Sequence, residues 1–151
     1  MTFEFHDPGK LIDGDLKLVL ERTEPGDTAL GRVPAYHFQM IHAVHGYQMG
    51  GIALRVGTTP YITRYAGQIG YGVEPKYRGH HYAARSCKLL LPLARIHHLN
   101  PLWITCNPDN LASRRTCELA GAQLVEIVDL PEDTDMYQEG ERQKCRYRID
   151  L

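Results

Sequence analysis

The stretch AGQIGYGVEPKYRGHHYAA, residues Ala66–Ala84, decides how the chain is read. Its first half places Ile69, Tyr71 and Val73 on alternate positions, the period of a strand, so a strand is expected over Ala66–Glu74. Pro75 has no backbone donor and stops that strand. Gly79 then opens a polar turn, and the period changes. Ala83, Cys87, Leu90, Leu91 and Ala94 recur at helical spacing, with Arg85, Lys88 and Arg95 opposite them. A helix is therefore expected over His80–His97, with Pro92 inside it. A helix start carries several unpaired N–H groups and the positive end of a dipole. It can hold a phosphate with no metal and no acid. Read from the residues alone, the turn is either such a phosphate cradle, with Arg78 and the tandem His80 and His81 as further donors, or a plain connector.

The flanking segments set the architecture. Leu16–Arg22 reads as a first strand, Thr23–Val33 as a loop, and Pro34–His42 with Tyr47–Val56 as a β-hairpin. Residues 1–14 show no clear period and are expected to form an irregular arm; Gly57–Tyr65 reads as a loop. Downstream, Leu102–Cys106 is a short apolar strand. Asp109 or Asn110 caps a helix running to Ala120, which Gly121 ends. Gln123–Val128 is a strand, and the acidic Asp129–Glu141 reads as a loop. Arg142–Leu151 alternates, so Arg142, Lys144, Arg146 and Arg148 are expected on the wet face of a closing strand. The order predicts a mixed α/β sheet, antiparallel first and parallel around the crossover helix.

A length of 151 residues fits one domain spanning residues 1–151, and 43% hydrophobic residues suffice for a core without staples. The formal net charge of −1 argues against a general nucleic-acid binder. No apolar run approaches the roughly 20 residues that span a bilayer, and MTFEFHDPGK lacks a signal-peptide core. No membrane partner is expected, and a soluble, cytoplasmic protein is. Cys87, Cys106, Cys117 and Cys145 show no CxxC spacing and are expected as free thiols. The histidine pairs lack a zinc ligand spacing, so no metal is expected.

VEPKYRGHHYA resembles the coenzyme A pyrophosphate loop of the GCN5-related N-acetyltransferase (GNAT) superfamily, which reads Val-x-Pro-x-x-(Arg/Gln)-x-x-Gly-x-(Gly/Ala). CNPDNLASRRTCELAGA resembles the family's Asn-x-x-Ser helix, and GQIGYGVEP with NPDNLAS is most similar to the branch of ribosomal-protein N-terminal acetyltransferases. The resemblance covers Ala66–Val128. It implies an acyl-coenzyme A N-acyltransferase fold with antiparallel N-terminal strands and a strand–helix–strand–helix–strand–strand C-terminal half. It also implies acetyl-coenzyme A as co-substrate and an amine acceptor: a protein N-terminus, a lysine or a small amine. A non-catalytic acyl-coenzyme A sensing domain is the alternative. Family members pair through several surfaces, so a homodimer is among the assemblies allowed.

Residue by residue, the resemblance implies that Tyr71, Gly72 and Val73 splay from the neighbouring strand and pair with the pantetheine amides. The N–H groups of Gly79, His80, His81, Tyr82, Ala83 and Ala84 cradle the pyrophosphate, with Arg78 at the entrance. Asn110 meets the pantetheine arm, and Ser113 matches the serine near the sulfur that can protonate the leaving thiolate. The chain departs from the pattern at several positions. His81 stands where the loop has its glycine, Cys117 where many members have the tyrosine that serves as general acid, and Thr105 where many have a glutamate base, so Ser113 and Cys117 are the candidate catalytic residues. The usual acidic residue of the loop strand corresponds to Gln68 or Ile69. Thr23–Val33 is too short for the two helices that often shape the acceptor pocket. On the residues themselves, Ser113 is equally readable as a local backbone-satisfying residue, and Cys117 as a small core residue.

Overall fold

A computed structural model of the chain describes residues 3–151. Strands β1 (Leu11–Asp13), β2 (Leu16–Glu24), β3 (Ala35–His42), β4 (Gln48–Arg55) and β5 (Ile69–Val73) form one antiparallel sheet in chain order. Helix α1 (Tyr82–Ile96) follows, then β6 (Leu102–Cys106), α2 (Leu111–Leu119), β7 (Gln123–Asp129), the short α3 (Asp135–Gln138) and β8 (Gln143–Ile149). The last three strands make a second antiparallel sheet in the order β6–β8–β7.

The core follows from the period-two pattern. Tyr36, Phe38 and Met40 on β3, and Ile52 and Leu54 on β4, are buried on one face of the first sheet. Helix α1 covers that face with Cys87, Leu90, Leu93 and Ala94. Each buried leucine contributes roughly 1.5–3 kcal/mol. The helix continues through Pro92 to Ile96. Leu102, Ile104, Tyr147 and Ile149 extend the same core under the second sheet.

The expected mixed sheet is divided in two, and the division creates the site. Strands β5 and β6 are neighbours only at their first residues, where Gln68 N–H donates to the Trp103 carbonyl (2.8 Å). The Gln68 side chain completes the clasp. Its Oε1 accepts from Trp103 N–H at 2.8 Å and its Nε2 donates to the Gly57 carbonyl at 2.9 Å. Gln68 is wholly buried, so these bonds are made without competition from water. Gly67 adopts φ +77°, and a Cβ there would stand 3.0 Å from Thr105 N, so the vertex needs glycine for both conformation and space. Beyond it the two strands part.

Four further expectations are corrected. Residues 1–14 are not wholly irregular, because β1 pairs with β2 across a Gly14-Asp15 turn and Arg85 pins it. The Arg85 guanidinium donates to Asp13 Oδ2 (2.8 Å) and Asp15 Oδ1 (2.8 Å). Ile62–Ala66 forms a π-helical turn within the expected loop. Asp135–Gln138 is a single helical turn, capped by the Thr134 hydroxyl accepting from Tyr137 N–H. Lys144 and Arg146, expected wet, are each only 8% exposed. The reason is that β8 is the central strand and the π-helical turn covers it. Arg146 stacks on the Trp103 ring, donates to the Thr63 carbonyl and pairs with Glu126 at 2.8 Å.

Between β2 and β3 lies a ten-residue connection holding only a 3-10 turn at Thr28–Leu30. Among the described residues no α-helix precedes α1, and none is long and apolar enough to cross a membrane.

Candidate active-site cleft

The opening between β5 and β6 is bounded by the start of α1 on one side and α2 on the other. A cleft of about 470 Å³ runs through it. Tyr71, Gly72 and Val73 form one wall, Arg78, Gly79, His81, Tyr82 and Ala83 the end, and Asn110 and Ser113 the opposite wall. The motif residues, separated by a whole helix and strand in sequence, thus converge on one cavity. His80 is exposed just outside it, Ala84 is 3% exposed in the core, and Cys117 is fully buried beneath α2; none of the three lines the cleft. Sequence reading missed Tyr77, Arg115, Thr116 and Leu119, which do. The last three fall on the Ala112 face of α2 at three- and four-residue steps, a signal the period carried.

The turn builds a donor cradle. Pro75 starts a single 3-10 turn through Tyr77, and Arg78 Nε donates back to the Val73 carbonyl (3.1 Å). Gly79 then takes φ +97° and His81 φ +60°. Positive angles at alternate residues curve the backbone at the end of the cleft, where Gly79, His81, Tyr82 and Ala83 line it, the kind of concavity suited to anions. The first backbone donor of α1 with an acceptor is Arg85, bonded to the His81 carbonyl at 2.9 Å. Among the described residues no acceptor faces the N–H groups of Gly79 to Ala84. With the dipole of a 15-residue helix behind them, they fit a pyrophosphate.

The opposite wall carries hydroxyls. Asn110 caps α2 by accepting from Ser113 N–H (3.1 Å), which fixes where Ser113 sits. The Ser113 and Tyr71 hydroxyls are 2.6 Å apart, and Tyr71 Oη also lies 3.3 Å from the Ser113 carbonyl. Burial, then the neighbouring Cys117, holds the Tyr71 phenol well above its ordinary range, so it stays protonated. The pair is a neutral proton donor at the inner end of the cleft.

Beneath it sits a thiol cluster. Cys117 Sγ is 4.0 Å from the Tyr71 hydroxyl. The Cys106 hydrogen bond, then burial, pushes the Cys117 thiol far up. Cys117 is fully buried and off the cleft lining, so it packs as a core thiol out of reach of a leaving group in the cleft. Thr105, at the position of the family's base, has its hydroxyl donated to the Tyr65 carbonyl (2.7 Å).

A second cavity, about 250 Å³, opens on the other side of the same wall. It shares Tyr71, Asn110 and Ser113 with the first and adds Arg55, Cys106, Glu141 and Lys144. Lys144 is neutralised by Glu141 (2.8 Å) and also donates to Asn107 Oδ1 (2.7 Å). Burial raises the pKa of Glu141, but Lys144 and Asn107 outweigh it and hold the carboxyl below its usual range.

Residues 18–123 match the family described as acetyltransferase (GNAT) domain. No curated protein matches the chain. Solved structures do. One is a Vibrio cholerae protein assigned as a ribosomal-protein-serine acetyltransferase (14% identity, all of both chains, TM-score 0.68). Another is the microcin C7 self-immunity acetyltransferase MccE in complex with acetyl-CoA and AMP (15%, 78% of this chain and 61% of that one, TM-score 0.58). A third is RimL, the ribosomal L7/L12 alpha-N-protein acetyltransferase, in complex with coenzyme A (16%, 78% and 62%, TM-score 0.60). The chain thus spans less than two thirds of the length of the last two. At these identities the likeness is one of fold.

Proposed function

The chain belongs to the GNAT acetyltransferase family, and from that premise we propose that it transfers an acetyl group from acetyl-coenzyme A to an amine, as one domain over residues 1–151. The observation that carries this reading is the shared wall. The cleft with the donor cradle and the second cavity meet at Tyr71, Asn110 and Ser113, so a thioester and an amine entering from opposite sides come together at one hydroxyl pair.

The pyrophosphate rests on the N–H groups of Gly79 to Ala83, with Arg78 at the rim. The pantetheine arm runs along Tyr71–Val73, whose outer edge beyond the vertex pairs with no other strand among the described residues, its Val73 carbonyl accepting from Arg78, and passes Asn110. The neutral amine attacks the thioester carbon; the new C–N bond forms as the C–S bond breaks. The departing thiolate takes a proton from the Tyr71–Ser113 pair, which is refilled from water, and the amine's surplus proton leaves to water. Holding both reactants in line supplies most of the acceleration.

The test is turnover, read as release of free thiol with a panel of amines. Ser113→Ala and Tyr71→Phe each lower kcat by about 10²-fold, the low end for a positioned proton donor. They leave acetyl-coenzyme A affinity within about threefold, and the double variant is no worse than either single one, because the two hydroxyls act as a unit. Independent, multiplying losses, or unchanged rates, contradict the relay.

A further inference from the structure

Arg55 is a buried-side cation without a counter-ion. It ends β4, and its Nη1 donates to the carbonyls of Ala66 (3.2 Å) and Gly67 (3.1 Å) at the vertex of the splay. Its Nε and Nη2 meet no acceptor among the described residues, and no carboxylate among them forms an ion pair with it. The side chain is half-buried, and burial pushes the guanidinium's pKa down, as expected for a charge short of a partner.

The neighbouring sequence makes room for this placement. The guanidinium lies against Gly70, where a Cβ would come within 2.8 Å of Nη2 and 3.2 Å of Nη1. Any side chain at 70 displaces it. Arg55 lines the 250 Å³ cavity together with Tyr71 and Ser113. The other cation there, Lys144, is already paired with Glu141. Arg55 is therefore the cavity's uncompensated charge, and its fork of donors matches a carboxylate.

We infer that the acceptor is an amine that also carries a carboxylate, which Arg55 binds while the amine meets the thioester at Tyr71 and Ser113. This rests on the acetyl-transfer reading. The carboxylate can be the α-carboxylate of a free amino acid or an acidic side chain next to a peptide's N-terminus, and the acceptor panel separates the two.

Matched acceptors are compared by kcat/KM: free amino acids against their carboxamides, and peptides with Asp against Asn at the second position. In one of these sets the carboxylate member is preferred by at least about tenfold, the scale of a hydrogen bond to a charged group. Arg55→Gln raises KM for that member at least about tenfold more than for its neutral analogue. Arg55→Lys keeps part of the preference. Gly70→Ala, which keeps the charge but displaces it, also reduces the preference. A purely structural Arg55 lowers both members of a pair equally, and that result overturns the inference, as does a wild-type enzyme that turns over both members alike. Failure of acetyl-coenzyme A to bind, measured separately by calorimetry, overturns the acetyl-transfer reading itself and this inference with it.

Discussion

Cys117 and Ser113 stand four residues apart on α2, on one helix face, yet do different work. Asn110 holds Ser113 at the cleft wall, while Cys117, one turn further in, is fully buried. Spacing gave the shared face but not the depth, because depth is set by the strands packed beneath. Cys117→Ala is expected to leave kcat within about twofold and to cost roughly 1 kcal/mol, an ordinary core change. A large loss of kcat with unchanged stability contradicts the core assignment. The turn at Arg78 and Gly79 and the Asn110 cap were legible in the residues because a helix start and a helix cap are local, whereas Tyr71–Val73 and Ser113 were expected only through the family resemblance. Gln68 and Arg55 were not legible. Their partners, Trp103 and Gly57 for one and the Gly67 carbonyl for the other, are fixed only when β4, β5 and β6 assemble.

At the level of elements, periods of two and of 3.6 residues located the long strands and both long helices to within a few residues. The misses have physical causes. Strand β1 is short, and its signal was the Gly14-Asp15 turn rather than an apolar period; Arg85, 70 residues away along the chain, completes it. The basic row of β8 alternates as an exposed face does, and Arg142 and Arg148 are exposed, but Lys144 and Arg146 between them are buried and paired, and alternation cannot tell one from the other. The start of α1 is where local preference and conformation disagree most. His81 sits at φ +60°, ψ +28°, a left-handed conformation that costs a non-glycine residue about 1 kcal/mol. The imidazole makes no capping bond in return. His81→Gly is expected to raise stability by about 0.5–1 kcal/mol after the greater freedom of an unfolded glycine is counted, and to keep or tighten acetyl-coenzyme A binding. Denaturant unfolding checks the first part and calorimetry the second. Weaker binding would instead assign the imidazole a direct bond to phosphate.

For the whole molecule, the decisive feature is that one core supports two sheets that part on one side. Helix α1 packs on the first sheet and presents its free N–H groups; α2 leans on β6 and presents Ser113. The order of elements was readable, but the division of the sheet was expected only through family likeness. No local pattern announces where two adjacent strands stop bonding. The short connection between β2 and β3 leaves the acceptor side without the helix pair common in the family, consistent with an acceptor recognised by the sheet and by Arg55 rather than by a helical lid.

The central claim is that the cleft at the start of α1 holds acetyl-coenzyme A. Calorimetric titration of the purified protein tests it most directly, with coenzyme A and dephospho-coenzyme A as comparisons and Gly79→Val as the variant. Gly79 has open space around it but a φ of +97°, so valine disturbs the cradle's backbone rather than its packing. The account predicts binding near the micromolar range, about −8 kcal/mol, weakened at least about tenfold by Gly79→Val. No heat at millimolar ligand, or equal binding by the variant, would contradict it.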